Sequence, residues 1–187
     1  MLIDEFNAKL QSAFSNDYRL VFGFGENAPL MLIGEAPGAE EERLGKPFVG
    51  KAGKNLDEFL SISGMERNDV YITNAVKFRP SAVSKAGRTV NRTPNKPEIE
   101  LFRPYLLEEI EIINPKCIVT LGNVPLRAVL GLNASIGDMH ARLTPVGKRF
   151  LFPMYHPASI IYNRALKQVY INDAKELGRL YKSLCIK

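Results

Sequence analysis

Residues 30–35 (LMLIGE), followed at once by residues 36–38 (APG), decide how this chain folds. A run that opens on Leu30, Met31, Leu32 and Ile33 and closes on a glycine and an acid has the length and pattern of a strand buried on both faces. Such a strand needs neighbours of its own kind. Residues 70–76 (VYITNAV), 117–122 (CIVTLG) and 150–156 (FLFPMYH) qualify. Helical patterns at residues 54–62, 98–113, 124–130 and 165–184 follow the strands one by one. The alternation predicts an α/β fold in three layers, α/β/α, with a central four-stranded parallel sheet flanked by helices. Pro104 inside the second helix predicts a kink or a break there.

In a sheet of this kind ligands bind beyond the carboxyl ends of the strands. Those ends carry Gly34-Glu35-Ala36-Pro37-Gly38, Thr73-Asn74, Gly122-Asn123 and His156-Pro157-Ala158, so polar groups and tight turns gather along one edge. Residues 81–97 form the one long polar connection, and a loop of that length is usually functional or mobile.

The chain has 187 residues, 45% of them hydrophobic, which suits a single domain over residues 1–187 with one ordinary core. Two cysteines, Cys117 and Cys185, make neither a disulfide framework nor a Cys-x-x-Cys metal site. No apolar run is long enough to span a bilayer, and acids stand in the first residues where a signal peptide would be basic. The expectation is an unprocessed cytoplasmic protein with no membrane association. A net charge of +5 favours an anionic partner without identifying it.

Two phosphate-loop patterns fail on context. Residues 23–28 match G-x-G-x-x-A but precede a strand, whereas the dinucleotide fingerprint follows a strand and opens a helix. Residues 45–52 come close to a P-loop, yet Ala52 stands where a hydroxyl must hold Mg²⁺ and Pro47 lacks an N–H donor. A nucleotide-hydrolysing enzyme is therefore the weakest of the alternatives.

Residues 34–53 (GEAPGAEEERLGKPFVGKAG), 70–77 (VYITNAVK), 91–94 (NRTP) and 155–158 (YHPA) occur in order along most of the chain. As a set they resemble the family-4 uracil-DNA glycosylases of bacteria and archaea. The resemblance implies a hydrolase that initiates base excision repair by flipping uracil out of DNA, cutting its N-glycosidic bond and leaving an abasic site. Uracil-containing DNA is then the partner, and a monomer is expected. The alternative within the same superfamily is a catalytically weak or inactive nucleic-acid-binding protein.

Most members of that family hold an iron-sulfur cluster on four cysteines. Here the amino-terminal pair is missing, Phe78 follows Lys77, Phe102 stands in the next helix, and Cys117 and Cys185 lie elsewhere. A branch without the cluster is expected, with no metal or other cofactor, and with the two phenylalanines packing where the cluster would organise the chain.

The resemblance also distributes roles. Phe48 stacks on the uracil face. Asn74 reads N3–H and O4, an edge on which cytosine presents the opposite pattern. His156 donates to O2 of the leaving base. Glu41 stands as a guard against the thymine methyl group. Ala36 occupies the position where many other uracil-DNA glycosylases carry an aspartate; its backbone and that of Glu35 can still donate to a uracil carbonyl. Either the Glu35 side chain or Asn91 then positions the attacking water. Lys77, Arg79, Lys85, Arg88, Arg92 and Lys96 occur between residues 77 and 97 without one acid, which predicts DNA contact, with Lys77, Arg79, Arg88 and Arg92 as the candidates. Ile160 and Ile161, ahead of Arg164, are placed to wedge into the base stack. His140 is expected to be structurally incidental.

Overall fold

The computed structural model describes residues 2–26, 28–131, 133–159, 163 and 165–185. In chain order the elements are α1 (Ile3–Phe14), β1 (Leu30–Gly34), α2 (Ala39–Leu44), α3 (Lys51–Ile62), β2 (Val70–Asn74), β3 (Ser81–Val83), β4 (Thr89–Asn91), α4 (Lys96–Ile113), β5 (Cys117–Leu121), α5 (Asn123–Leu130), α6 (Ile136–Met139), β6 (Thr144–Val146), β7 (Arg149–Met154) and α7 (Leu166–Cys185). A 3-10 turn, Arg67–Asp69, leads into β2.

The four strands expected from the sequence are present and parallel, in the order β2-β1-β5-β7. The sheet nevertheless has five strands, because β6 pairs antiparallel with β7 at its edge. Three residues containing a proline and only half buried give no strand period to read. The glycine of the Gly147-Lys148 turn, at φ 59°, is the one sign of the hairpin. The polar connection after β2 likewise folds in part, as an exposed antiparallel ribbon of β3 and β4. Helix α4 runs through Pro104 without a break. That residue is exposed, so the carbonyl it leaves unpaired can face water.

Strand alternation builds the two sides of the core. Leu30 and Leu32 of β1 pack with Leu56 and Phe59 of α3 and Leu177 of α7, while Met31 and Ile33 pack with Leu106 and Ile110 of α4 and Leu126 of α5. On the outer side of α4 a third cluster joins Phe6, Leu10 and Phe14 of α1 to Phe78 and Phe102. Strand β1 thus lies inside the sheet, covered by helices on both faces, and the chain turns back across it between β2 and β5. That reversal puts the crevice at the ends of β1 and β5, flanked by the ends of β2 and β7. No helix among the described residues is long and apolar enough to cross a membrane.

Candidate active site

Gly34 closes β1 directly opposite Asn74, the last residue of β2. A Cβ on Gly34 would collide with Asn74 Oδ1 and with the ring tip of Phe48, so three segments meet at one point that only a glycine leaves open. Asn74 is buried, and among the described residues its side-chain amide has no hydrogen-bond partner within the protein.

Phe48 is buried too, although it sits in a turn with φ 53°, a conformation most side chains avoid. Two charged groups hold that turn. Arg67 Nη2 donates to the Phe48 carbonyl at 2.6 Å, and its Nε donates to Asp57 at 2.6 Å. On the other side Glu41 Oε1 accepts from the N–H groups of Val49 (3.0 Å) and Gly50 (2.7 Å), and its Oε2 accepts from Gly38 (3.1 Å). Both Glu41 oxygens are engaged by backbone, so Glu41 enters the site as a strut that ties the Phe48 turn to the turn after β1.

His156 leaves the end of β7 with its ring centroid 6.1 Å from that of Phe48. Its Nδ1 accepts from the Ala158 N–H at 3.1 Å, which puts the ring proton on Nε2. Burial pushes its pKa down to about 4, so the imidazole is neutral near pH 7. Asn55 of α3 donates to the Pro157 carbonyl at 3.0 Å and fixes the loop on which His156 stands.

Glu35 is half-buried, and burial raises its carboxyl above the ordinary range, opposed by a hydrogen bond with the Thr93 side chain. The amide nitrogen of Asn91 lies about 3.0 Å from where a side chain on Gly38 would begin, and its oxygen accepts from Arg79 Nε at 2.7 Å. The methyl group of Ala36 packs against the aromatic cluster beside α4.

The structure therefore brings Glu35, Ala36, Glu41, Phe48, Asn74, Asn91 and His156 to one end of the sheet. It divides the basic candidates. Lys77 is not a DNA contact: its side chain is fully buried and its ammonium is paired with Glu109. Arg79 is taken up by Asn91 and Glu42, and Arg92 by a two-pronged pair with Glu98. Arg88 stands exposed in the turn of the β3–β4 ribbon, its guanidinium without an ion pair among the described residues. Ile160, Ile161 and Arg164 lie outside the described residues. His140 is placed by a contact of 3.3 Å with Asp173 of α7 and by the Tyr155 ring.

Sequence reasoning passed over Arg67, Asn55 and Glu109. Only Glu109 left a signal: an acid three residues after Leu106 and seven after Phe102, on the stripe of α4 that faces inward.

The sequence model of the Uracil DNA glycosylase superfamily matches residues 22–176, and the chain belongs to that superfamily. The relatives at 37–39% identity are type-4 uracil-DNA glycosylases. A type-4 uracil-DNA glycosylase of Sulfurisphaera tokodaii is 39% identical over 82% of this chain and 70% of its own length. One from Thermotoga maritima is 37% identical over 89% of this chain and 85% of its own. Among solved structures, wild-type SMUG2 of Pedobacter heparinus shares the fold, with a TM-score of 0.55 at 16% identity over 84% of this chain and 76% of that one.

A four-thiolate cluster does not fit these residues. Phe78 and Phe102 stand 5.7 Å apart, centroid to centroid, with Tyr18 stacked on Phe78 at 4.0 Å and Phe14 tilted against Phe102 at 4.9 Å. Cys117 lies in β5, its thiol pushed up to about 12 by burial. Among the described residues no group of three His, Cys, Asp or Glu side chains is placed to hold a metal ion.

Proposed function

We propose that this DNA-repair uracil glycosylase binds a flipped uracil at the meeting point of Gly34, Phe48 and Asn74, and cuts its glycosidic bond with help from His156 and Glu35. The observation that carries the reading is that convergence: a buried amide without a protein partner, an aromatic ring held in a strained turn, and a neutral imidazole 6.1 Å from that ring.

Phe48 offers its face to the base. Asn74 Oδ1 accepts from N3–H and its amide nitrogen donates to O4, whereas cytosine would set like against like on both atoms. As the bond from the sugar carbon to N1 breaks, its electrons pass to the base and charge builds on O2. The Nε2–H of His156 meets that charge. A donor fixed in place before reaction contributes on the order of 3 kcal/mol. The backbone of the turn from Glu35 to Gly38 borders the same carbonyl, and Ala36 acts there through its main chain alone.

Water then adds to the sugar carbon and gives up a proton. Glu35 is the better acceptor, because its carboxylate is half-buried with a raised pKa while the Asn91 oxygen is occupied by Arg79. Arg88, on the ribbon, supplies DNA contact, and Ile160, Ile161 and Arg164 are proposed to do the same. The protein acts as a monomer and without a metal.

The test is to incubate pure protein with an end-labelled oligonucleotide bearing one uracil, then cleave abasic sites with alkali. A strand cut at the uracil position is expected. DNA binding without any abasic product would leave a binding protein in place of an enzyme.

A further inference from the structure

The peptide of Asn74 has an unusual anchor. Within β2, Ile72 exchanges both backbone hydrogen bonds with Phe24 at 2.8 Å, so its N–H and C=O point to the outer edge of the sheet. Residues two apart on a strand direct these groups to the same side, so the Asn74 carbonyl also points off the edge, where no strand follows. Lys77 Nζ meets it at 2.8 Å. The same ammonium donates to Thr73 Oγ1 and to Glu109 Oε2, each at 2.5 Å, so all of its donors are used. Glu109 is fully buried in α4 and accepts as well from the Tyr71 hydroxyl at 2.9 Å and from Thr73 at 3.1 Å.

A buried ion pair is a poor way to gain stability, since an apolar pair of similar size is often as stable or more so. It is a good way to fix an atom, because three short hydrogen bonds from one nitrogen leave that nitrogen a single place to be. We infer that Lys77, anchored by Glu109, is a positioning residue for base recognition: it holds the Asn74 peptide so that the side-chain amide reaches uracil in one orientation. This rests on the reading of Asn74 given above. Lys77 touches neither base nor DNA; it acts through Asn74.

The test uses K77M/E109Q, which removes both charges and the donor to Asn74 while leaving an amide oxygen for Tyr71 and Thr73. In this variant single-turnover excision should slow by about 10- to 100-fold, since displacements near 1 Å carry penalties of that size. Inhibition by free uracil should weaken about tenfold and the ratio of uracil to cytosine excision should fall. Affinity for uracil-free DNA should not change, a split that a merely structural role would not produce. E109D, which keeps both charges but withdraws the carboxylate by one methylene, should show a smaller loss of the same kind. Either variant, folded and with the wild-type rate and wild-type uracil inhibition, would overturn the assignment. A wild-type protein that forms no abasic sites would instead overturn the glycosylase reading on which it rests.

Discussion

Lys77 and Phe78 are neighbours in the chain and finish in opposite surroundings. Lys77 turns into a closed polar network whose members are Tyr71, Thr73, Asn74 and Glu109, with every donor on its ammonium assigned. Phe78 turns into a cluster of rings from α1, the segment after it and α4, where Tyr18 stacks on it and Phe102 lies tilted at 5.7 Å. The network is directional and fixes one carbonyl. The cluster works by area: ring pairs contribute about 0.5–1.5 kcal/mol each beyond burial, and small rotations cost little. One segment is therefore held to an atom on one side and to a surface on the other.

The largest expected effect breaks the network. Replacing Lys77 with Met strands the Glu109 carboxylate, and a buried pair broken in this way costs about 3–5 kcal/mol in urea unfolding. K77M/E109Q should recover most of that loss, because the stranded charge goes with its partner. If K77M is as stable as wild type, the pair is not closed as described. Truncating Phe102 to Ala in the cluster should cost a similar 3–5 kcal/mol, yet Phe78→Leu, which keeps most of the apolar bulk and loses two ring pairs, should cost only about 1–3 kcal/mol. A network tolerates no such near-equivalent, so a large loss in Phe78→Leu would erase the contrast.

The same contrast decides what could be read in advance. The parallel sheet was legible because runs such as LMLIG are short, apolar throughout and closed by turn residues, and the ends of those runs named Asn74 and His156 as candidates. Phe78, between Lys77 and Arg79, was legible as packing only through the resemblance, because it stands where the family carries a cluster cysteine. Lys77 was not: between Asn74 and Arg79 it reads as one more cation of a basic stretch, and only Glu109, thirty-two residues on, reverses its meaning. Arg67 and Asn55 stayed hidden for a related reason. Each acts on a backbone carbonyl far away in sequence, and carbonyls are identical in every residue. Strand β6 escaped because three residues are too few for a period.

His156 sharpens the comparison, being a polar group buried without a charged partner. Burial lowers the Lys77 ammonium while Glu109 opposes the shift; for His156 desolvation stands alone and carries the pKa down to about 4. Against an unfolded value near 6.5, the folded protein takes up fewer protons between about pH 6.5 and 4. The contribution of His156 to stability is therefore fully present above that window and lost as pH falls through it. Single-turnover excision should show no step near pH 6.5, where an exposed histidine would titrate. His156→Ala should slow excision about a hundredfold with little change in DNA affinity. A rate that halves near pH 6.5 in wild type, and not in the variant, would mean that the imidazole is far less buried.

The smallest effect concerns two cations that stand outside both regions. Arg92 is committed to Glu98 through bonds of 2.7 and 2.6 Å, whereas Arg88 has no such partner among the described residues. A cation already neutralised by a carboxylate releases few counterions when it approaches phosphate; a free one releases close to its full share. Arg88→Ala should accordingly flatten the slope of log affinity against log salt by about one unit, the value of a single lost phosphate contact. Arg92→Ala should lower affinity by a nearly salt-independent amount through disturbance of the ribbon base, since its guanidinium also bonds the Ser81 and Thr93 carbonyls. The measurement is a salt titration of binding to one duplex for the three proteins. If Arg92→Ala flattens the slope more than Arg88→Ala does, the pair with Glu98 opens on DNA, and pairing in the free protein would no longer separate structural cations from phosphate-binding ones.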